Sequence, residues 1–357
     1  MAERSVDWGL AQRVAIRAAG SEPFSGSYHY DSLLPDFTEL TAIAEEKVAA
    51  TTGLRSLAGP ARARVTDRAG WVEANIASFQ RLLRPITDRL EEKMSGPLAP
   101  VASRIAGVEV GTLLGWMSTR VLGQYDLLVI EDENPEDQDL VYYVGPNVLS
   151  LEKRFAFPPR EFRLWLALHE VTHRAQFTGI PWMREHFLGL VAASVSAVDA
   201  DPKAFIDALG RAVESMVRGK NPLDDGGLMA VFASAEQRDV LERISGLMSL
   251  LEGHGDVTMD RAGADQIPNA ERFGQVLRQR RQQLNPATKF LQKLIGLEAK
   301  MKQYEQGERF IEVVEGAGGT MLLDRAWEAP EFLPVLSEIR DPDLWIDRIR
   351  ATAPIAS

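Results

Sequence analysis

His169, Glu170 and His173 stand in the order HExxH within PPREFRLWLALHEVTHRAQFTG, the stretch from Pro158 to Gly179. Imidazoles four residues apart on a helix share one face, so both can reach a single ion at about 2 Å. Glu170, turned about 100° from His169, flanks that ion and is placed to take a proton from water that a zinc activates. The chemistry this points to is metal-assisted hydrolysis. The pattern works only if the stretch is helical, and its flanks supply the ends of a helix: proline where one begins, glycine where one stops. With only 5 histidines in 357 residues, a chance match to the pattern is improbable.

Two histidines do not complete a catalytic zinc site, which needs a third protein ligand and an open position. The extension that places glycine three residues and histidine six residues beyond the second histidine is absent, because Gln176 and Gly179 occupy those places. Glu252 in LMSLLEGHGDVTMD is the better third ligand, since it follows an apolar helical run. Asp256, one turn later on the same face, is placed to accept a hydrogen bond from a ligand histidine and fix its tautomer. His186 and His254 stay open as alternatives. His254 lies about 200° around the helix from Glu252, so the two do not share an ion. The glycines flanking His254 either end the helix or let another helix backbone come close. Tyr304 in KQYEQGERF is a further catalytic candidate, as a phenol that could hold an oxyanion. His29, in the turn-rich loop SEPFSGSYHYDSLLPD, reads as a surface histidine.

The composition is that of a globular chain: 45% hydrophobic, 25% charged. A net charge of −11, from 40 basic and 51 acidic residues, argues against general nucleic-acid affinity and against docking on an anionic membrane. The absence of cysteine excludes disulfides, thiolate metal sites and cysteine nucleophiles. Arg13 and Arg17 interrupt the N-terminal apolar pattern, so no signal peptide is expected and the chain reads as cytoplasmic. The apolar region from Val101 to Ile130 is broken by Arg104, Glu109, Arg120 and Asp126, too often for a membrane span.

The positioning elements follow from periodicity. Helices are expected at Val6–Ala19, Asp36–Thr51 and Ala61–Met94, the last with a break at Pro85. Trp71 reads as a core anchor. Gly107, Gly111 and Gly115 make a smooth stripe where another helix can approach. Short β-type runs follow at Tyr125–Ile130 and Asp139–Val144, with Val148–Leu151 as a candidate third strand. Such a sheet would offer an edge onto which an extended peptide could pair. Further helices are expected at Met183–Val198, Pro202–Arg218, Ser234–Leu251, Asn269–Leu284 and Pro286–Glu305, with GKNPLDDGG as a loop. Gly316–Gly319 lacks a following Lys-Ser/Thr and reads as an interhelical turn. Trp327, Pro330 and Pro334 mark an extended segment before a last helix at Asp341–Arg350. The fold class is α+β, predominantly α-helical, with a helical region over 1–122 and a catalytic region over 123–357.

With these residues in place, the sequence resembles the zincin metallopeptidases of gluzincin type, whose segments HExxH and ExxxD match His169–His173 and Glu252–Asp256. It also resembles a bacterial family of zinc-dependent metalloproteases through RAGWVEANIASF, LHEVTHRAQF, MSLLEGHGDVTMD, KMKQYEQGERFI and WEAPEFLPVLSEIRDPDLWIDRI. The resemblance implies a zincin-like core with a small sheet beside the HExxH helix. It also implies zinc held by His169, His173 and Glu252, with Glu170 as the base. The expected activity is hydrolysis of a peptide bond. The alternatives are an inactive zincin-fold binding or assembly module and a hydrolase of a small amidated metabolite. A gap of 79 residues between His173 and Glu252 is longer than in many gluzincins.

Overall fold

The run LVYYV carries β-branched and aromatic side chains at every position, a composition that suits a strand covered on both faces. It forms β3 (Leu140–Val144), the centre of a three-stranded sheet in which every residue of β3 is buried. β1 (Arg62–Thr66) pairs with it in parallel, Arg62 opposite Leu140 and Thr66 opposite Val144. β2 (Gly123–Tyr125) pairs antiparallel on the other side, Gly123 opposite Tyr143 and Tyr125 opposite Val141.

The computed structural model describes residues 6–22, 24, 26–93, 99–125, 139–196, 235–282 and 297–352. Its helices are α1 (Trp8–Ala19), α2 (Tyr28–Asp31), α3 (Leu33–Thr52), α4 (Arg68–Lys93), α5 (Ala99–Ser118), α6 (Gly145–Phe155) and α7 (Pro159–Gly179). After these come α8 (Met183–Ser196), α9 (Ala235–Gly263), α10 (Ala270–Gln282), α11 (Leu297–Asp324), α12 (Leu336–Arg340) and α13 (Pro342–Thr352). The protein is thus predominantly helical with a small mixed sheet, the α+β class expected from its sequence. No helix among the described residues is long and apolar enough to cross a membrane.

Several boundaries differ from the periodicity reading. Arg62–Thr66 is a strand where a helix was expected to begin, and the helix that follows runs through Pro85 without a break. Asp67 starts that helix by accepting the Gly70 N–H at 2.7 Å. Val148–Leu151 is no third strand; it lies inside α6, whose early proline favours a helical start. A short apolar run fits a buried helix as well as a strand, and here burial all round won. α9 continues past Leu251 to Gly263, through the glycines beside His254. Two 3-10 turns, Arg325–Trp327 and Pro330–Phe332, stand in place of the extended segment. The Gly316–Gly319 turn is present as a kink in α11 at Gly318 and Gly319. The expected strand residues after Tyr125, the helix Pro202–Arg218, the GKNPLDDGG loop and the start of Pro286–Glu305 lie outside the described residues.

The chain divides into two compact units: Met1–Pro181 with Thr258–Phe273, and Trp182–Val257 with Gly274–Ser357. In the first, α3 covers the sheet, stacking Phe37 on Tyr143 at 3.8 Å between ring centres and joining the Thr41 and Tyr143 hydroxyls at 2.8 Å. The glycine stripe of α5 does what its spacing implies: a Cβ on Gly107 would come within 2.6 Å of Asp7 O, and one on Gly115 within 2.6 Å of Ala15 O. α1 and α5 therefore touch backbone to backbone, and Trp71 is a buried core residue beside them. In the second unit, α11 packs on α9, and the tail closes with the Trp345 indole N–H donating to Phe332 O at 2.8 Å.

Candidate metal centre

α7 is fixed by two buried arginines as much as by its apolar side chains. Arg163, 3% exposed, makes two parallel bonds to Glu152 at 2.8 and 2.9 Å and a third to Asp36 of α3. Arg174, 1% exposed, spends its donors on Asp139 (3.0 and 2.6 Å), Glu45 (2.7 Å) and the Gly59 carbonyl (2.7 Å). A guanidinium so fully bonded fixes the rotation of its helix, because every donor has a set direction. Between these anchors sit the histidines.

The Nε2 atoms of His169 and His173 face each other at 3.3 Å, with the rings at 85°. Two nitrogens bound to one tetrahedral zinc at about 2.0–2.1 Å would be separated by about 3.3–3.4 Å, so the pair fits the ion. His173 Nδ1 lies 2.9 Å from Gln176 Oε1. An amide oxygen only accepts, so Nδ1 carries the proton and the Nε2 lone pair is left to be the donor to a metal. Gln176 thus fixes the tautomer of His173. The signal in the sequence is its place three residues on along the same helix. Asp256 lies in α9 one turn after Glu252 and is half-buried.

Glu170, 7% exposed, turns its carboxylate toward the sheet. Its Oε2 accepts the Tyr125 backbone N–H at 3.1 Å. A Cβ on Gly123 would stand 2.7 Å from both Cγ and Oε1 of Glu170, so this position of β2 has room for the carboxylate only as glycine. β2 is in turn held by a chain of amides: the Trp71 indole N–H donates to Gln124 Oε1 at 2.8 Å, and Gln124 Nε2 donates to Asn75 Oδ1 at 3.1 Å. In the antiparallel register Tyr125 points its N–H away from β3, and that outward donor is the one engaged by Glu170. Burial pushes the Tyr143 phenol up, and the nearby Glu170 charge adds to the shift.

Glu252 is buried in α9 at 5% exposure. The next residue, Gly253, meets Gly307 of α11: a Cβ on Gly253 would be 2.6 Å from Glu308 N. Of the two roles considered for these glycines, close approach of a second backbone is the one Gly253 fills. His254 turns its ring edge-on to Trp327, 5.1 Å between centres. His186 stands edge-on to Trp182 at 5.9 Å, its pKa lowered by burial and then by the Arg243 charge, a setting that repels a cation. One ligand atom each from His169, His173 and Glu252 lie within 4.8 Å of one another, a group that could hold a metal ion. Two imidazoles and a carboxylate are a zinc donor set that leaves a fourth position open. His29 meets Lys153 at the surface, 3.0 Å from its Nζ. Tyr304 lies in α11, but its side chain is outside the described residues.

A protein from Chloroflexus aurantiacus, proposed to be a hydrolase and described from its crystal structure as having a novel fold, is 31% identical to this chain. The two superpose with a TM-score of 0.73, covering 98% of this chain and 100% of that one. No curated protein matches. The family model for zincin-like metallopeptidases matches residues 6–346. That match runs through the sheet, through α7 with its two histidines and through α9 with Glu252, so the chain belongs to the zincin-like metallopeptidase family.

Proposed function

We propose that this protein hydrolyses peptide bonds with one zinc held by His169, His173 and Glu252. The observation that carries the reading is the pair of Nε2 atoms facing at 3.3 Å, with one tautomer fixed by Gln176. Zinc in such a site supplies Lewis acidity toward a carbonyl and toward water. Glu170 supplies the proton chemistry. Its Oε2 accepts the Tyr125 N–H, which holds the carboxylate in place to take up a proton. As water attacks the carbonyl carbon, a C–O bond forms and the water proton passes to Glu170. The C–N bond then breaks, and Glu170 returns the proton to the departing amine. In this reading Tyr304 is the donor to the oxyanion.

A second substrate class, a small amidated metabolite, is favoured by one feature. The outward N–H of Tyr125 is engaged by Glu170, which removes one donor from the sheet edge that an extended peptide would use. Turnover of peptides that rises with length supports the first reading; turnover confined to single amides supports the second.

The test is metal content beside activity. Wild type is expected to bind one zinc per chain, with His169→Ala and Glu252→Ala binding none. Glu170→Gln is expected to keep the zinc and to lose about 10²–10⁴-fold in turnover of a peptide library. A wild-type chain that takes up no zinc, or a Glu170→Gln variant with full turnover, overturns the assignment.

A further inference from the structure

We propose that Gly307 of α11 is a positioning residue of the metal site, setting where Glu252 stands by its backbone contact with Gly253. The inference rests on the reading of Glu252 as a zinc ligand and adds what places it.

α9 is met by backbone at two points along one face. Gly246 faces the chain at Pro334 and Val335, where an added Cβ would be 2.6 Å from Val335 C. One heptad on, Gly253 faces Gly307. Between them Ser249, fully buried, turns its hydroxyl back to its own helix at Ser245 O. A Cβ on Gly307 would overlap Ser249 O and stand 3.0 Å from Gly253 Cα. These are backbone atoms, so no rotamer change relieves the overlap. Glu252 and His254 flank Gly253 at about 100° on either side. The His254 flank is taken by Trp327, which leaves the rotation of α9 fixed with Glu252 on the other flank.

Magnitudes decide whether this matters to a metal. Relieving a methyl group at Gly307 needs the two backbones to part by about 1 Å, whereas ligand distances to zinc hold within about ±0.2 Å. A carboxylate carried on a helix displaced by that much loses its place in the site.

The experiment is zinc affinity by competition with a chromophoric chelator, together with thermal unfolding of the metal-free chain. Gly307→Ala is expected to weaken zinc at least tenfold. Gly111→Ala, which overlaps Ala11 O in the α1–α5 contact, serves as the control: lower thermal stability with zinc affinity unchanged. Glu252→Asp, which adds no volume, withdraws the carboxylate by about one C–C bond, 1.5 Å, and is also expected to lose at least tenfold. Wild-type affinity in Gly307→Ala or in Glu252→Asp overturns the inference while leaving the zinc assignment intact. So does an equal loss in Gly111→Ala. Unaltered zinc binding by Glu252→Ala removes the ligand assignment and the inference with it.

Discussion

α7 and α9 each carry part of the candidate metal group, and they are fixed by opposite means. α7 is held by what its side chains donate: Arg163 bonds Glu152, Asp36 and the Ser32 hydroxyl, Arg174 bonds Asp139, Glu45 and the Gly59 carbonyl, and Gln176 orients His173. α9 is held where side chains are missing, at Gly246 and Gly253, against backbone. The first way depends on charge and direction; the second depends on volume alone. A ligand can therefore be placed by electrostatic anchoring or by bare contact, and the two fail differently when altered.

The largest effect is expected at Arg174. Arg174→Ala leaves Asp139, Glu45 and the Gly59 carbonyl without their buried partner, and stability in chemical denaturation should fall by about 3–5 kcal/mol. A loss below about 1 kcal/mol would mean that apolar packing, not charge, fixes α7, and the contrast would collapse. On the other helix, Gly246→Ala forces a methyl group into Pro334 and Val335 and should cost about 1–3 kcal/mol by the same measurement. No charge is involved, so its loss should be the same at low and high salt.

Gln176→Ala should weaken zinc about tenfold, the usual result of removing a group that orients a ligand histidine. Unchanged affinity would place the orientation of His173 elsewhere. The smallest effect concerns His186 on α8, outside both helices. Its folded-state pKa is lowered from 6.5, by burial first and then by Arg243, so folding favours the neutral ring. Above 6.5 the ring is neutral in folded and unfolded chains alike. As pH falls below that value the unfolded chain takes up the proton first, and stability drops through the folded pKa. His186→Gln should flatten that part of the stability profile; an unchanged slope would assign it to other groups.

The contrast also explains what could be read from the sequence. HExxH and the ends of α7 were legible because chemistry, spacing and helix signals fall within one 21-residue element. The glycine stripe of α5 was legible for the same reason, since its three members repeat on one helix. The partner of Gly253 lies 54 residues away in α11, and no local period announces a contact of that kind. Gln176 was visible but ambiguous, because glutamine on a helix most often faces solvent; here it is fully buried. β1 was missed because RARVT puts two arginines in a strand that borders the sheet, and its pairing to β3 spans the whole of α4, α5 and β2. Val148–Leu151 was misread because burial of α6 on nearly all sides hides its period.

The bond between Glu170 and Tyr125 is made by a main-chain amide. Nineteen of the twenty residue types would supply the same donor at that position, and only proline would not. The partner of the candidate base is therefore written in the path of the chain more than in its letters. A lineage could exchange the phenol ring freely, within the limits of packing, and keep the carboxylate where it is. Glycine at 123 carries the opposite burden, because there the identity of the residue is itself the opening.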